Sequence, residues 1–162
     1  MSQPVVEAMV EEYARGGPLL SQAIIGLTEQ QFRARPVPVT WSIGQIVLHL
    51  LDSDLNASER MKRVIAEDNP PLIGMDESLF AERLFYDELD PQLAAEMFGL
   101  NRKLTAEILR RVPEEGFGRI GTHNQRGQVT LAGLVELYVG HLDHHLKFLR
   151  HKRRLLQAEP PR

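Results

Sequence analysis

Four long stretches of this chain carry apolar residues at three- and four-residue intervals, and helix start or stop signals bracket each of them. A chain patterned in this way folds by packing helices against one another, so an all-α bundle is the expected class. The first stretch spans residues 4–27, with Val6, Met9, Val10, Tyr13, Leu20, Ala23, Ile24 and Leu27 on one stripe. Gly16-Gly17-Pro18 interrupts it. Pro18 has no N–H for the carbonyl of Ala14, which predicts a kink or two helices in near-continuation. Thr28 to Gln31 starts one short turn, and Arg35-Pro36-Val37-Pro38 is an extended connector.

The second stretch opens at Ser42, where Ser42 and Gln45 form a capping box, and runs to about Glu67. Ile43, Ile46, Val47, Leu50, Leu51, Leu55, Met61 and Ile65 are its apolar stripe; Gln45, His49, Asp52, Ser53 and Asn56 run beside it. Asn69-Pro70-Pro71 ends it. Residues 72–89 are less regular, with a short helix expected over 78–84 that covers one end of the bundle. Asp90-Pro91 restarts a helix to about Arg111 along Leu93, Met97, Leu100, Leu104, Ile108 and Leu109. Residues 117–128 have turn chemistry and predict a small hairpin or an extended lid. Thr130 then caps the last stretch, which runs to about Leu156 through Leu131, Leu134, Leu137, Tyr138, His141, His145, Phe148 and Leu149. The expected core includes Ile46, Leu50, Leu104, Ile108, Leu134 and Leu137. One domain over residues 1–157 and a disordered tail over 158–162 complete the expectation.

Composition narrows the function. The net charge of −3 argues against a nucleic-acid partner, which favours a basic surface. There is no cysteine, so disulfides and thiolate metal sites are excluded, and any thiol chemistry must use a small-molecule thiol. The first residues lack the basic and apolar regions of a signal peptide, and no apolar run reaches about 18–20 residues. A cytoplasmic protein with no membrane partner is expected.

Chemistry is concentrated in the histidines. His141 and His145 are four residues apart on the inward stripe of the last helix, so they lie one above the other and can share a metal ion. His49 sits mid-helix with polar neighbours, and if the two helices pack together a third donor converges. Asp52, one turn beyond His49, can accept the N–H of that ring or remain a solvated acid. His123 lies before the last helix and is either an acid or base at the pocket mouth or a loop histidine. His144 points about 100° away from His145, toward an interface or solvent. His151 joins Lys152, Arg153 and Arg154 in a solvated basic helix end. Trp41 reads as a core anchor.

WSIGQIVLHLLDSDLNASERMK followed by TLAGLVELYVGHLDHHLKFLR resembles the DinB/YfiT-like superfamily over about residues 17–153. Trp41, Ser42, His49 and Asp52 match its W-[ST]-x6-H-x2-[DE] pattern, and His141 and His145 its H-x3-H pattern. The resemblance implies an antiparallel four-helix bundle with a long connection between helices 2 and 3. It also implies a divalent metal site at His49, His141 and His145, and metal-dependent hydrolysis of a small molecule. Its members are also associated with transfer of low-molecular-weight thiols, the second reading; a metal-binding module without chemistry is the third. Zinc or nickel suits either of the two enzymatic readings. The resemblance further implies a homodimer, for which Leu19, Leu20 and Leu84-Phe85-Tyr86 could supply an apolar patch.

Overall fold

The computed structural model describes residues 2–157; the expected disordered tail, residues 158–162, lies outside them. Four long helices carry the fold: α1 (Gln3–Ile24), α3 (Ile43–Ala66), α5 (Pro91–Leu109) and α6 (Leu131–Leu155). Between them lie the short helices α2 (Glu29–Arg33) and α4 (Glu77–Arg83), a 3-10 turn (Glu114–Gly118), and strands β1 (Pro71–Leu72), β2 (Ile120–His123) and β3 (Gly127–Thr130). Each helix start predicted from a cap is made by that cap. Gln45 N donates to Ser42 Oγ at 3.1 Å, and Ser42 N donates back to Gln45 Oε1 at 2.9 Å. Asp90 accepts from Gln92 N with Pro91 in the first turn, and Thr130 accepts from Gly133 N.

Each of α1 and α3 packs against both α5 and α6. Glu11 meets Arg110, and Gly17 faces Gly99, so α1 and α5 run antiparallel. Asp54 meets Arg102 while Gly44 faces Pro91, so α3 and α5 are parallel. His49 meets His141 and Arg60 meets Tyr138, which makes α3 and α6 antiparallel. Gly16 faces Leu142, and Arg153 reaches the Ala23 carbonyl, so α1 and α6 are parallel. The directions in chain order are up, down, down, up. Because α3 and α5 share a direction, the chain must return the length of the bundle between them, which is why the connection over residues 67–90 is long. The predicted hairpin is present as β2 and β3, with Ile120 opposite Thr130 and His123 opposite Gly127. The parallel pairing of β1 with β2 was not expected; a two-residue strand has no periodicity to read, and Pro71, which lacks an N–H, lies on the sheet edge.

Two expectations are corrected and one is narrowed. First, α1 continues through Pro18 as one helix, so of the two alternatives at the proline the break into two helices does not occur. Burial on both sides of the proline holds it: Val6, Val10 and Tyr13 before, Leu20 and Ile24 after. The preceding glycines serve packing, since a Cβ on Gly16 would collide with the Arg102 guanidinium, and one on Gly17 would stand 3.3 Å from the Gly99 backbone.

Second, α5 buries a different face from the one predicted. Leu93, Met97, Leu100 and Leu104 are exposed, while Ala94, Ala95, Phe98, Arg102, Thr105, Ala106 and Leu109 are buried. Close approach at Gly17–Gly99 selects small residues, and Arg102 enters with its own counter-charge, Asp54. Of the expected core, Ile46, Leu50 and Leu134 are buried, Ile108 and Leu137 are half-buried, and Leu104 is 60% exposed. Third, the basic end of α6 is not wholly solvated. Lys152 Nζ donates to Thr40 Oγ1 at 2.6 Å, and Arg153 Nη1 donates to the Ala23 and Ile25 carbonyls at 2.6 and 3.0 Å, at the end of α1. Within the expected dimer patch, Leu20 and Tyr86 are buried, whereas Leu84 and Phe85 are exposed.

Candidate metal centre

One face of α3 carries His49, Ser53, Asn56 and Arg60 at helical spacing, and α6 turns Tyr138, His141 and His145 toward it. Nε2 of His49 and Nε2 of His141 are 3.2 Å apart. One ring nitrogen from each of His49, His141 and His145 lies within 4.8 Å of the others. Two imidazole nitrogens about 2.0–2.1 Å from one tetrahedral ion stand about 3.3–3.4 Å from each other, so the His49–His141 spacing is that of two ligands on a single ion. The His145 ring centroid is 4.6 Å from that of His141 and 4.7 Å from that of His49. Trp41, half-buried, packs its ring 4.8 Å from His49 and fixes the outer side of that imidazole.

The electrostatics keep these rings neutral. Burial pushes His49 down to about 3, and the neighbouring His145 and His141 add to the shift. His141 falls to about 4 through burial first, then through His145, Arg102, His144 and Arg126. His145 falls to about 4 through burial and His144. Neutral imidazole is the metal-binding form, so the donor set is ready at neutral pH without releasing protons. Three neutral nitrogens converging at this spacing fit a divalent ion.

Asp52 does not pair with His49. Its carboxylate accepts from the Tyr86 hydroxyl, and His49 Nδ1 is buried with no hydrogen-bond partner among the described residues. The expected Asp52–His49 contact is not made because the Asp52 carboxylate is taken by the Tyr86 hydroxyl instead. Ser53 Oγ lies 3.4 Å from His49 Nε2. The carboxylate beside the centre is instead Glu77, at the start of α4, with Oε2 3.7 Å from His49 Nε2. Sequence reasoning missed it because its position depends on how the long connection folds back over α3.

His123 is a buried histidine of β2, only 5% exposed, and lines the same cavity as His49 and His141. Its Nδ1 accepts from Gln125 N at 3.1 Å, which leaves the proton on Nε2. Burial, then Arg60 and Arg126, lower its pKa, so it is a neutral N–H donor. His144 is exposed and meets Phe148 edge-to-face, and His151 is exposed at the helix end; neither joins the cluster. The cavity has a volume of 330 Å³, and His49, His141, Arg60, Arg126, His123 and Tyr138 are in its lining. Arg60 extends the polar stripe of α3 by one more turn, a signal that was open to reading. A larger cleft of 420 Å³ beside α2, bordered by Glu29, Arg33 and Asp87, contains no histidine.

The bundle and its centre define a class, that of helical proteins presenting a histidine-only donor set from facing helices. The chain belongs to the DinB superfamily, whose family model matches residues 12–149. YfiT of Bacillus subtilis, provisionally named a metal-dependent hydrolase, is 30% identical over 129 residues, which cover 78% of this chain and 72% of YfiT. A relative from Oceanobacillus iheyensis with the same provisional name is 28% identical over 128 residues, covering 79% of this chain and 74% of the relative. The solved structure of YfiT, a four-helix bundle, superposes with a TM-score of 0.91 at 23% identity over 98% of this chain and 91% of YfiT. A DinB-like protein of B. subtilis superposes with a TM-score of 0.62 at 20% identity over 96% of each chain. These two likenesses bear on the fold. Among the described residues no helix is long and apolar enough to cross a membrane.

Proposed function

We propose that this protein hydrolyses a small polar molecule through one divalent ion, zinc or nickel, held by His49, His141 and His145. The observation that carries the reading is the convergence of three neutral imidazole nitrogens, two of them from residues that line a 330 Å³ cavity. The provisional names of the relatives support it. Held by these three imidazoles, the ion would supply Lewis acidity, lowering the pKa of a water and polarising a substrate oxygen. Glu77, 3.7 Å from His49 Nε2, is the carboxylate placed to take the proton of the attacking water. The water oxygen bonds to the electrophilic atom of the substrate, the bond to the leaving group breaks, and the proton held by Glu77 passes to the departing atom. His123 offers its Nε2–H to a substrate oxygen. Asp52 acts through Tyr86, anchoring the segment that follows α4 and with it the position of Glu77.

The experiment is metal analysis of the purified protein followed by a hydrolase substrate panel with and without an added low-molecular-weight thiol, comparing wild type with His145→Ala. One ion per chain and thiol-independent turnover lost in the variant are expected. Turnover only with thiol would assign transfer instead. A loaded site with no turnover in either arm would leave a metal-binding module. The homodimer implied by the resemblance belongs to the same reading, with Leu84 and Phe85 still open to a partner. Sedimentation as a monomer across micromolar concentrations would reject it.

A further inference from the structure

The cavity beside the histidines has a second pole. Arg60 lies on its wall with the side chain buried, 6% exposed, and no carboxylate within ion-pair distance among the described residues. A buried guanidinium without a counter-charge is costly unless a ligand supplies one. Its contacts are neutral: Nη1 donates to the Tyr138 hydroxyl and Nη2 to the Ile73 carbonyl, while Nε has no partner. Of five N–H groups, three therefore remain uncommitted. The Tyr138 hydroxyl accepts from Arg60, so its own proton is free to donate. Burial raises the Tyr138 pKa, which keeps that proton in place at neutral pH. Arg126, in the exposed turn between β2 and β3, lines the same cavity and makes no side-chain hydrogen bond or ion pair among the described residues. The one carboxylate in the lining is Glu77, and it sits by His49.

Tyr138 is one helical turn before His141, with ring centroids 6.0 Å apart. Arg126 and His141 line the same cavity. In a protein of net charge −3, two cations and a hydroxyl donor gathered at a concave site, with no acidic partner of their own, form a receptor for an anion.

We propose that Arg60, Arg126 and the Tyr138 hydroxyl form an oxyanion subsite beside the histidine centre, so that the substrate is a small molecule bearing a carboxylate or a phosphate group. This rests on the hydrolase reading for the word substrate; the anion site itself does not. Arg60 holds the group from the floor of the cavity. Arg126 closes on it from the mouth, and the remainder of the molecule extends toward His141 and His49. The hairpin then serves as the element that recognises one end of the substrate.

The test is isothermal titration of the full chain, stripped of metal, with inorganic phosphate in one arm and succinate in the other. Saturable binding of at least one is expected, and the stronger arm identifies the group. Arg126→Ala, an exposed change that leaves the core intact, should weaken that binding by about tenfold or more, the loss of charge-assisted hydrogen bonds. Arg60→Lys keeps a charge but not the fork and should weaken it as well, with circular dichroism checking the fold. His145→Ala should bind the anion like wild type. Failure of both anions to bind overturns the proposal, as does wild-type affinity in Arg126→Ala. Binding that appears only with metal and vanishes in His145→Ala places the anion on the ion and also overturns it. An absence of bound metal with anion binding intact would reject the hydrolase reading and leave the subsite standing.

Discussion

Arg102 Nε donates to Asp54 Oδ1 across 2.8 Å at the centre of the bundle, and each side chain is 1% exposed. Arg102 also donates to the carbonyls of Tyr13 at 3.3 Å and Tyr138 at 2.7 Å, so a single guanidinium ties α1, α3 and α6 to α5. Its plane rests over the rings of Tyr13 and Phe98, 4.4 and 4.7 Å from their centroids. Asn101 Nδ2 completes the cage on Asp54 at 2.8 Å. Removing one partner leaves the other charged and dry. Asp54→Ala and Arg102→Ala should therefore each cost about 3–5 kcal/mol. Urea denaturation measures this, and the paired variant Asp54→Leu with Arg102→Met should lose less than either single change predicts.

This pair marks the boundary of what the sequence made legible. Caps and periodicity located all four long helices, because Ser42, Asp90 and Thr130 satisfy orphan amides by local chemistry that needs no tertiary knowledge. The histidine cluster was legible in part: helical spacing paired His141 with His145 and polar neighbours marked the face of His49, while the resemblance to the DinB/YfiT-like superfamily joined them into one set. The phase of α5 was not. Leu93, Met97, Leu100 and Leu104 look like a core stripe, yet the glycine contact with α1 and the Asp54 counter-charge select the face bearing Ala95 and Arg102. A buried ion pair becomes readable only once both helices are placed. The approach of Glu77 depends likewise on the path of residues 67–90, which no periodicity encodes.

The ligand assignment separates histidines that composition treats alike. His49→Ala, His141→Ala and His145→Ala should each reduce bound zinc from about one ion per chain to a small fraction, because two nitrogens hold an ion far less well than three. His144→Ala and His151→Ala should keep it, since His144 is exposed and meets Phe148 edge-to-face and His151 is exposed. Elemental analysis after dialysis against a mild chelator reads the difference, and full occupancy in His49→Ala would refute the site.

The same rings set a pH dependence with two parts. In the unfolded chain each histidine takes up a proton near pH 6.5. In the fold, burial holds His49 at about 3 and His141 and His145 at about 4. Between these limits the unfolded state binds more protons, so the metal-free protein loses stability as pH falls from about 6.5 toward 4, and gains none from these groups above 7. Metal retention by the folded protein should be flat from pH 7 to 5 and fall only as the folded-state values are approached. Thermal unfolding of stripped protein and metal release at graded pH check the two parts. A midpoint of metal release near pH 6.5, in protein that is still folded, would show that the imidazoles are not shifted.

Burial distinguishes two leucines that both belong to predicted core stripes. Leu50 is 1% exposed and Leu104 is 60% exposed. Leu50→Ala should cost about 2–5 kcal/mol by opening a cavity. Leu104→Ala should stay within about 0.5 kcal/mol, like other surface changes. Denaturant midpoints for the two variants decide whether α5 buries the face of Arg102 or that of Leu104.

Glu77 separates binding from proton transfer. Its carboxylate lies 3.7 Å from His49 Nε2 but does not belong to the converging donor set, so its loss should leave the ion in place. Glu77→Gln preserves size and removes the basic oxygen. Metal content should equal wild type, KM should change little, and kcat on any substrate the panel identifies should fall about a hundredfold or more, as expected on removing a general base. Glu77→Asp, one methylene shorter, should recover part of the rate. If Glu77→Gln instead strips the metal, the carboxylate is a fourth ligand. If kcat is unchanged with metal retained, the proton leaves by another path, and His123, which presents only an N–H while Gln125 occupies its Nδ1, cannot accept it without breaking that contact.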